Sequence, residues 1–219
     1  MTDLATLALP AWAVPAQPRR AAIDEHVIHI KGEWWRDAVS SRSLPGTPPA
    51  GPTITRAEVW AAESLDVFTL LWRTLAWGSG RYLRQNARRL DAIAADVPRV
   101  EDLLSRAAVE SRRDPAAAYA LLRPERRNEI LWLGPSFFTK FLYFAGGGAP
   151  GHPSLILDRV VATRLRERCG WASLHHAGPW PAETYGRYCD LLARWAYDNR
   201  CAPDEIERTL FAGEPEERS

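Results

Sequence analysis

The spacing of apolar residues changes character twice along this chain. Residues 1 to about 20 hold no sustained period and are interrupted by Pro10, Pro15 and Pro18, which predicts a loose, irregular arm. His26-Val27-Ile28-His29-Ile30 then alternates with a period of two ahead of Trp34 and Trp35, as a short strand or an irregular cover would. Pro45, Gly46, Pro48, Pro49, Gly51 and Pro52 mark a linker. Beyond it the period becomes helical. Thr55-Arg56-Ala57-Glu58 has capping-box spacing and predicts a long helix through Trp72 to Ala76, ended by Gly78-Ser79-Gly80. Arg81–Ala95 and Val100–Ser111 read as amphipathic helices, and Asp114-Pro115 supplies a cap and a first-turn proline for another reaching Leu122. Glu125–Leu133 and Phe137–Ala145 read as two helices joined by a tight turn, with a flexible loop over Gly146–Pro153 behind them. Asp158 starts a helix to about Cys169, and Pro181–Asn199 and Pro203–Leu210 are two more. The expected fold is mostly α, with an arm and linker over 1–52 and a helical domain over 53–219.

Composition narrows this modestly. The 219 residues suffice for one domain or two small lobes sharing a core. No apolar run approaches the roughly 20 residues of a membrane helix. The stretch Met1–Pro18 has no basic start, so no membrane association and no signal peptide are expected. Cys169, Cys189 and Cys201 lack metal-ligand spacing and read as reduced thiols of a cytoplasmic protein. His26 with His29, and His175 with His176, have no cysteine or carboxylate at recognised spacings, so no metal is expected. The net charge is only +1. Arginines nevertheless gather at 81, 84, 88 and 89, at 123, 126 and 127, and at 159, 164, 166 and 168. Such patches can bind phosphates without a basic total, although many are simply solvated helix faces.

Among the 28 basic residues only Lys31 and Lys140 are lysine. Lys140 lies inside Phe137-Phe138-Thr139-Lys140-Phe141-Leu142-Tyr143-Phe144. Arginine keeps its proton at accessible pH, whereas a desolvated lysine can release one and become a nucleophile; a snorkelling lysine is the plain alternative. With Ser136 as cap, Lys140 falls in the first full turn of its helix, where dipole and apolar neighbours both disfavour charge. The Leu133-Gly134-Pro135-Ser136 turn has little side chain at its tip and exposes helix-start amides suited to a phosphate. An ordinary helical hairpin has the same outline. Asp158 follows eighteen positions after the lysine, behind Leu155-Ile156-Leu157, where it caps a helix and can steady a developing cation.

These residues resemble a known family. Leu133-Gly134-Pro135-Ser136-Phe137-Phe138-Thr139-Lys140 with Leu155-Ile156-Leu157-Asp158 is similar to the helix-hairpin-helix DNA glycosylases of the 8-oxoguanine class, especially bacterial members of that fold. The matched core covers about Asp114–Arg168. Trp77-Gly78-Ser79-Gly80-Arg81 and Ile206-Glu207-Arg208-Thr209-Leu210-Phe211 also look similar. One departure is that the usual hairpin has two glycines separated by one residue, a spacing that Pro135 and Ser136 replace here. The resemblance implies two helical lobes around a cleft, with the helix-hairpin-helix at about 123–145. It also implies a monomer acting on double-stranded DNA that carries a modified base, without cofactor or metal. Lys140 would be the nucleophile and Asp158 the stabilising carboxylate, with an accompanying lyase step. Gly134, Pro135, Ser136, Thr139 and Arg159 would meet the DNA backbone. Phe144, one turn beyond the lysine, would lie near an extruded base, and Trp34, Trp35, Trp72, Tyr185 and Tyr188 are stacking candidates. The resemblance implies either removal of a modified viral base such as glucosylated hydroxymethylcytosine, in anti-phage defence, or 8-oxoguanine repair. Other classes remain open: a non-enzymatic helical DNA-binding module, a Schiff-base enzyme for small carbonyl compounds, and a structural interaction protein.

Overall fold

A computed structural model describes residues 4–61 and 66–214. The alternation at 26–30 forms a strand, β1 (Val27–His29), which pairs antiparallel with β2 (Thr53–Thr55), Ile28 opposite Ile54. Between them, α1 (Gly32–Ser40) buries Trp35, Ala38 and Val39. A methyl group on Gly32 would stand 2.3 Å from the carbonyl oxygen of Gly51, so the linker lies directly on the helix start. The preceding arm is less loose than its prolines suggest. Ala13 is fully buried, and the Leu7 carbonyl accepts hydrogen bonds from Arg194 (2.6 Å) and the Trp195 indole (3.0 Å). Residues on both sides of position 52 share one hydrophobic core.

The capping box at Thr55 is present: its hydroxyl accepts from the Glu58 amide (3.1 Å), and the Glu58 carboxylate accepts from the Thr55 amide (2.6 Å). It opens only a short helix, α2 (Arg56–Trp60), rather than one continuing to Ala76. A second start at Asp66, whose carboxylate caps the amides of Phe68 and Thr69, opens α3 (Val67–Ser79). This apolar helix runs through the core and ends at Gly80, whose φ of 56° disfavours side-chain-bearing residues. Then come α4 (Asn86–Ala94), α5 (Val97–Glu110) and α6 (Pro115–Leu122), the last two capped by Asp96 and Asp114.

Residues 123–134 contain no helix, contrary to the expectation for Glu125–Leu133. The polar Glu-Arg-Arg-Asn-Glu and the apolar Ile-Leu-Trp-Leu stand in consecutive blocks, so a helix here would have no single apolar face to bury. Glu125 and Trp132 instead adopt positive φ, and Arg123 and Arg99 bind Asn128 and Glu129. The first arm of the hairpin is therefore α6 followed by an irregular connection. The second is α7 (Pro135–Phe144), with eight residues buried, packed against α3. Finally α8 (Arg159–Glu167), α9 (Ala182–Asn199) and α10 (Pro203–Ala212) pack together, α10 touching both others. Among the described residues no helix is long and apolar enough to cross a membrane.

The loop after α7, expected to be flexible, is fastened. His152 Nε2 lies 2.8 Å from the Leu142 carbonyl, and a methyl group on Gly146 would fall 2.2 Å from the His152 ring. Gly146→Ala should therefore destabilise the fold by about 1–3 kcal/mol, measured as a lower urea midpoint.

Candidate active site

Helix α7 is capped by the Gly134 backbone, without a side-chain cap, and Pro135 takes its first position. Lys140 is consequently in the second turn, two positions further along than expected with Ser136 as cap. Side chains on a helix lean toward its N-terminus, and Lys140 does so: Nζ donates to the Ser136 carbonyl at 2.8 Å. The residue is only 7% exposed. Its stem lies against α3 where Gly78 leaves room; a methyl group there would stand 2.9 Å from Lys140 Cδ and 3.3 Å from the Phe137 ring.

Lys140 Nζ also lies 3.4 Å from Asp158 Oδ2. The two oxygens of Asp158 divide their work. Oδ1 caps α8 by accepting from the Val160 (2.9 Å) and Val161 (3.1 Å) amides, leaving Oδ2 toward the lysine. The extended residues leading to Asp158 are pinned from both sides. Tyr185 and Tyr188 on α9 donate to the Leu155 (2.8 Å) and Ile156 (2.6 Å) carbonyls. The Thr139 hydroxyl, adjacent to Lys140, accepts from the Leu157 amide at 3.2 Å. Burial pushes both tyrosine hydroxyls well above their ordinary pKa, so they remain donors.

The pair faces a cavity of about 210 Å³, lined also by His26, Ile28, Arg56, Trp77–Gly80, Ile156, Glu207 and Phe211. Arg56 and Glu207, each 1% exposed, form an ion pair at 3.0 Å. The guanidinium is flanked by the rings of Trp77 and Tyr143, 5.0 and 5.4 Å from their centroids. Burial pushes the Glu207 carboxyl up, partly offset by Arg56 and reinforced by Asp158. His26 meets Trp77 edge to face at 5.4 Å. Burial, then the charges of Arg56 and Arg208, lower its pKa to about 3, leaving it neutral at physiological pH.

Several sequence-predicted residues lie elsewhere. Trp72 is fully buried, stacked on Phe68, and its indole donates to the Pro45 carbonyl (2.8 Å). Tyr185 and Tyr188 are fully buried supports of the Asp158 segment. Phe144 is 1% exposed and packs behind Trp77, and Trp34 and Trp35 pack against each other on α1. None of these aromatics lines the cavity beside Lys140. Thr139 is wholly buried and joins α7 to the Asp158 segment, which leaves it no surface for DNA. Gly134 and Ser136 are partly accessible, Pro135 is buried and Arg159 is exposed. The arginine groups split similarly. Arg81, Arg84, Arg88, Arg126 and Arg127 are exposed. Arg89 is buried over the Phe137 ring and donates to the Trp132 carbonyl, while Arg164 and Arg166 bind backbone carbonyls.

Sequence reasoning did not assign His26, Arg56, Trp77, Glu207 or Phe211 to the site. Two of the similar segments, 77–81 and 206–211, contained three of them; Arg56 was hidden inside a capping box. Among the described residues no group of three or more His, Cys, Asp or Glu side chains could hold a metal ion.

A lysine and an aspartate facing one cavity in a mostly helical body fit the DNA glycosylase class. The sequence model of the family described as "Putative 8-oxoguanine DNA glycosylase OGG-like protein" matches residues 21–211, and the chain belongs to that family. Comparison with curated proteins and with solved structures finds no match.

Two outcomes follow from the geometry. Gly78→Ala should displace the Lys140 stem and destabilise the fold by about 1–3 kcal/mol, measured as a lower urea midpoint. His26 is the second case. Its folded-state pKa is depressed, so between about 6.5 and 3 the unfolded chain binds a proton that the folded chain does not. Stability should fall as pH drops through that window. In His26→Phe the urea midpoint should fall less between pH 7 and pH 5.

Proposed function

We propose that this protein is a base-excising DNA glycosylase in which Lys140 is the nucleophile and Asp158 stabilises the cationic sugar. The observation that carries this is the buried approach of Lys140 Nζ to Asp158 Oδ2, 3.4 Å apart at the edge of one cavity. A stacked base is out of reach, so the target nucleotide must be extruded into that cavity. As the C1′–N bond lengthens, the bonding pair leaves with the base and positive charge develops on C1′ and the ring oxygen. Asp158, fixed by two helix amides, needs no reorganisation to face that charge.

To attack, Nζ leaves the Ser136 carbonyl and its proton passes to the departing base. It forms the Nζ–C1′ bond; the ring then opens, O4′ takes a proton, and a Schiff base remains. Loss of a C2′ proton with expulsion of the 3′ phosphate is the lyase step, and hydrolysis frees the lysine. The open start of α7 at Gly134 and Ser136, with Arg159 on the first turn of α8, supplies phosphate contacts. The exposed arginines at 81, 84, 88, 126 and 127 supply further positive charge, so binding should weaken steeply with salt.

The substrate we infer is a modified base. A substituted pyrimidine such as glucosylated hydroxymethylcytosine would give the protein an anti-phage role in the cytoplasm; the resemblance to bacterial members of the fold supports this. The family description supports the second reading, 8-oxoguanine repair. A cavity of about 210 Å³ is smaller than the roughly 300 Å³ at which ligand pockets usually begin, so a compact base fits and a large substituent needs room elsewhere.

Borohydride reduction during reaction with modified duplexes should give a covalent protein–DNA adduct, absent in Lys140→Gln. Asp158→Asn should slow base release by about a hundredfold or more. Mass spectrometry of the released base identifies the substrate. If Lys140→Gln releases base as fast as the unaltered protein, the assignment fails.

A further inference from the structure

The wall of the catalytic cavity continues directly into the turn that follows α3. Gly78, Ser79 and Gly80 line the cavity, and Tyr82 comes two residues later, its amide donating to the Ser79 carbonyl at 3.0 Å. The Tyr82 side chain is 83% exposed. A second exposed aromatic, Trp132 at 45%, stands beside the equally exposed Leu131 in the irregular connection before α7. One buried chain of hydrogen bonds ties both aromatics to the cavity wall. Asn86 donates to the Ser79 hydroxyl at 3.0 Å, and its side-chain oxygen accepts from Arg89. The Arg89 guanidinium also donates to the Arg84 carbonyl (3.4 Å), in the Tyr82 turn, and to the Trp132 carbonyl (2.8 Å). Its carbon lies 3.9 Å from the centroid of Phe137, the ring that flanks Gly78.

This surface is held in a strained form. Gln85 and Trp132 adopt left-handed backbone, with φ of 64° and 67°, a conformation that disfavours a bulky side chain. Arg89 fixes the Trp132 carbonyl, and the Arg88 guanidinium sits 4.9 Å from the indole centroid. The indole is thereby kept at the surface. Between Ser79 and Leu90 the chain carries four arginines and no acidic residue, and Arg81, Arg84 and Arg88 are exposed. Outward rings among guanidinium groups suit a nucleic-acid strand, because unpaired bases stack on the rings and phosphates meet the charge. A paired duplex offers base faces only in the gap that an extruded nucleotide leaves. Two rings on separate loops exceed what one gap can accept. We propose that this surface binds single-stranded DNA, with Tyr82 and Trp132 stacking on unpaired bases that flank the nucleotide in the cavity. This rests on the glycosylase reading above and names the form of DNA it acts on, in place of the duplex implied by resemblance. A target in a single strand has no partner base to leave, so the cost of unpairing disappears.

The test measures binding of the full chain by fluorescence anisotropy. The probes are a single-stranded oligonucleotide with a tetrahydrofuran abasic analogue and the duplex of the same sequence, at one salt concentration. Borohydride trapping on the matching natural abasic oligonucleotides reports Lys140 separately. We expect the single strand to bind at least as tightly as the duplex. Tyr82→Ala and Trp132→Ala should each weaken single-strand binding by about tenfold, and duplex binding by less than about twofold. Trp132→Phe, which keeps a ring, should stay within about threefold of the unaltered protein. Tyr82→Ala, at the more exposed position, decides the matter if Trp132→Ala lowers the Tm. Tighter binding of the duplex than of the single strand by the unaltered protein overturns the proposal. So does full single-strand binding in both alanine variants, or a loss in Tyr82→Ala confined to the duplex, which would make that ring a filler of one gap. If the expected binding is seen but the unaltered protein traps neither abasic form, the Lys140 reading fails and the single-strand surface stands.

Discussion

The Asp158 carboxylate serves two masters, and the remainder of the site is arranged around that division. One oxygen completes the start of α8, a contact typically worth about 0.5–2 kcal/mol to a helix. The other faces the Lys140 amine. A buried ion pair by itself contributes little net stability, because desolvation offsets most of the attraction. The pair therefore depends on prior placement. Helix capping fixes one partner, and the helical lean of a lysine side chain fixes the other. Thr139, Tyr185 and Tyr188 supply the registration between them, holding successive residues of the segment that precedes Asp158. The geometry of the pair is thus a by-product of bonds the fold must make anyway.

Behind this pair the cavity wall carries an unusual density of buried polar groups. Arg56 is enclosed by Trp77 and Tyr143 and tied to Glu207. The Tyr143 hydroxyl donates in turn to Asp204, which binds Arg19 of the arm. Such a network is costly if incompletely satisfied. Within it, Arg56 Nε has no hydrogen-bond partner.

Much of the helical content was legible because helix starts carry local chemistry: Thr55 with Glu58, Asp114 with Pro115, and Asp158 each open a helix as expected. Lys140 stood out as one of two lysines in an arginine-rich chain, and its partner followed from the cap. What escaped were consequences of long-range packing. Asp66 divides a helix that periodicity alone joins, and residues 123–134 are irregular because their polar and apolar positions are segregated along the sequence. The cavity residues come from β1, α2, α3 and α10, which no local pattern brings together. Aromatic content was a poor guide: Trp72, Tyr185 and Tyr188 proved to be core and scaffold, and a buried tyrosine hydroxyl donating to a carbonyl has no signature in sequence. The arm was misjudged for a related reason, since its prolines exclude helix but not packing.

The central claim is that one particular amine meets the anomeric carbon. It is tested most directly by digesting the borohydride-reduced protein–DNA adduct and locating the deoxyribose remnant by peptide mass mapping. The account predicts that the remnant is attached to the peptide containing Lys140. A remnant on Lys31 or on the amino-terminal amine would contradict it.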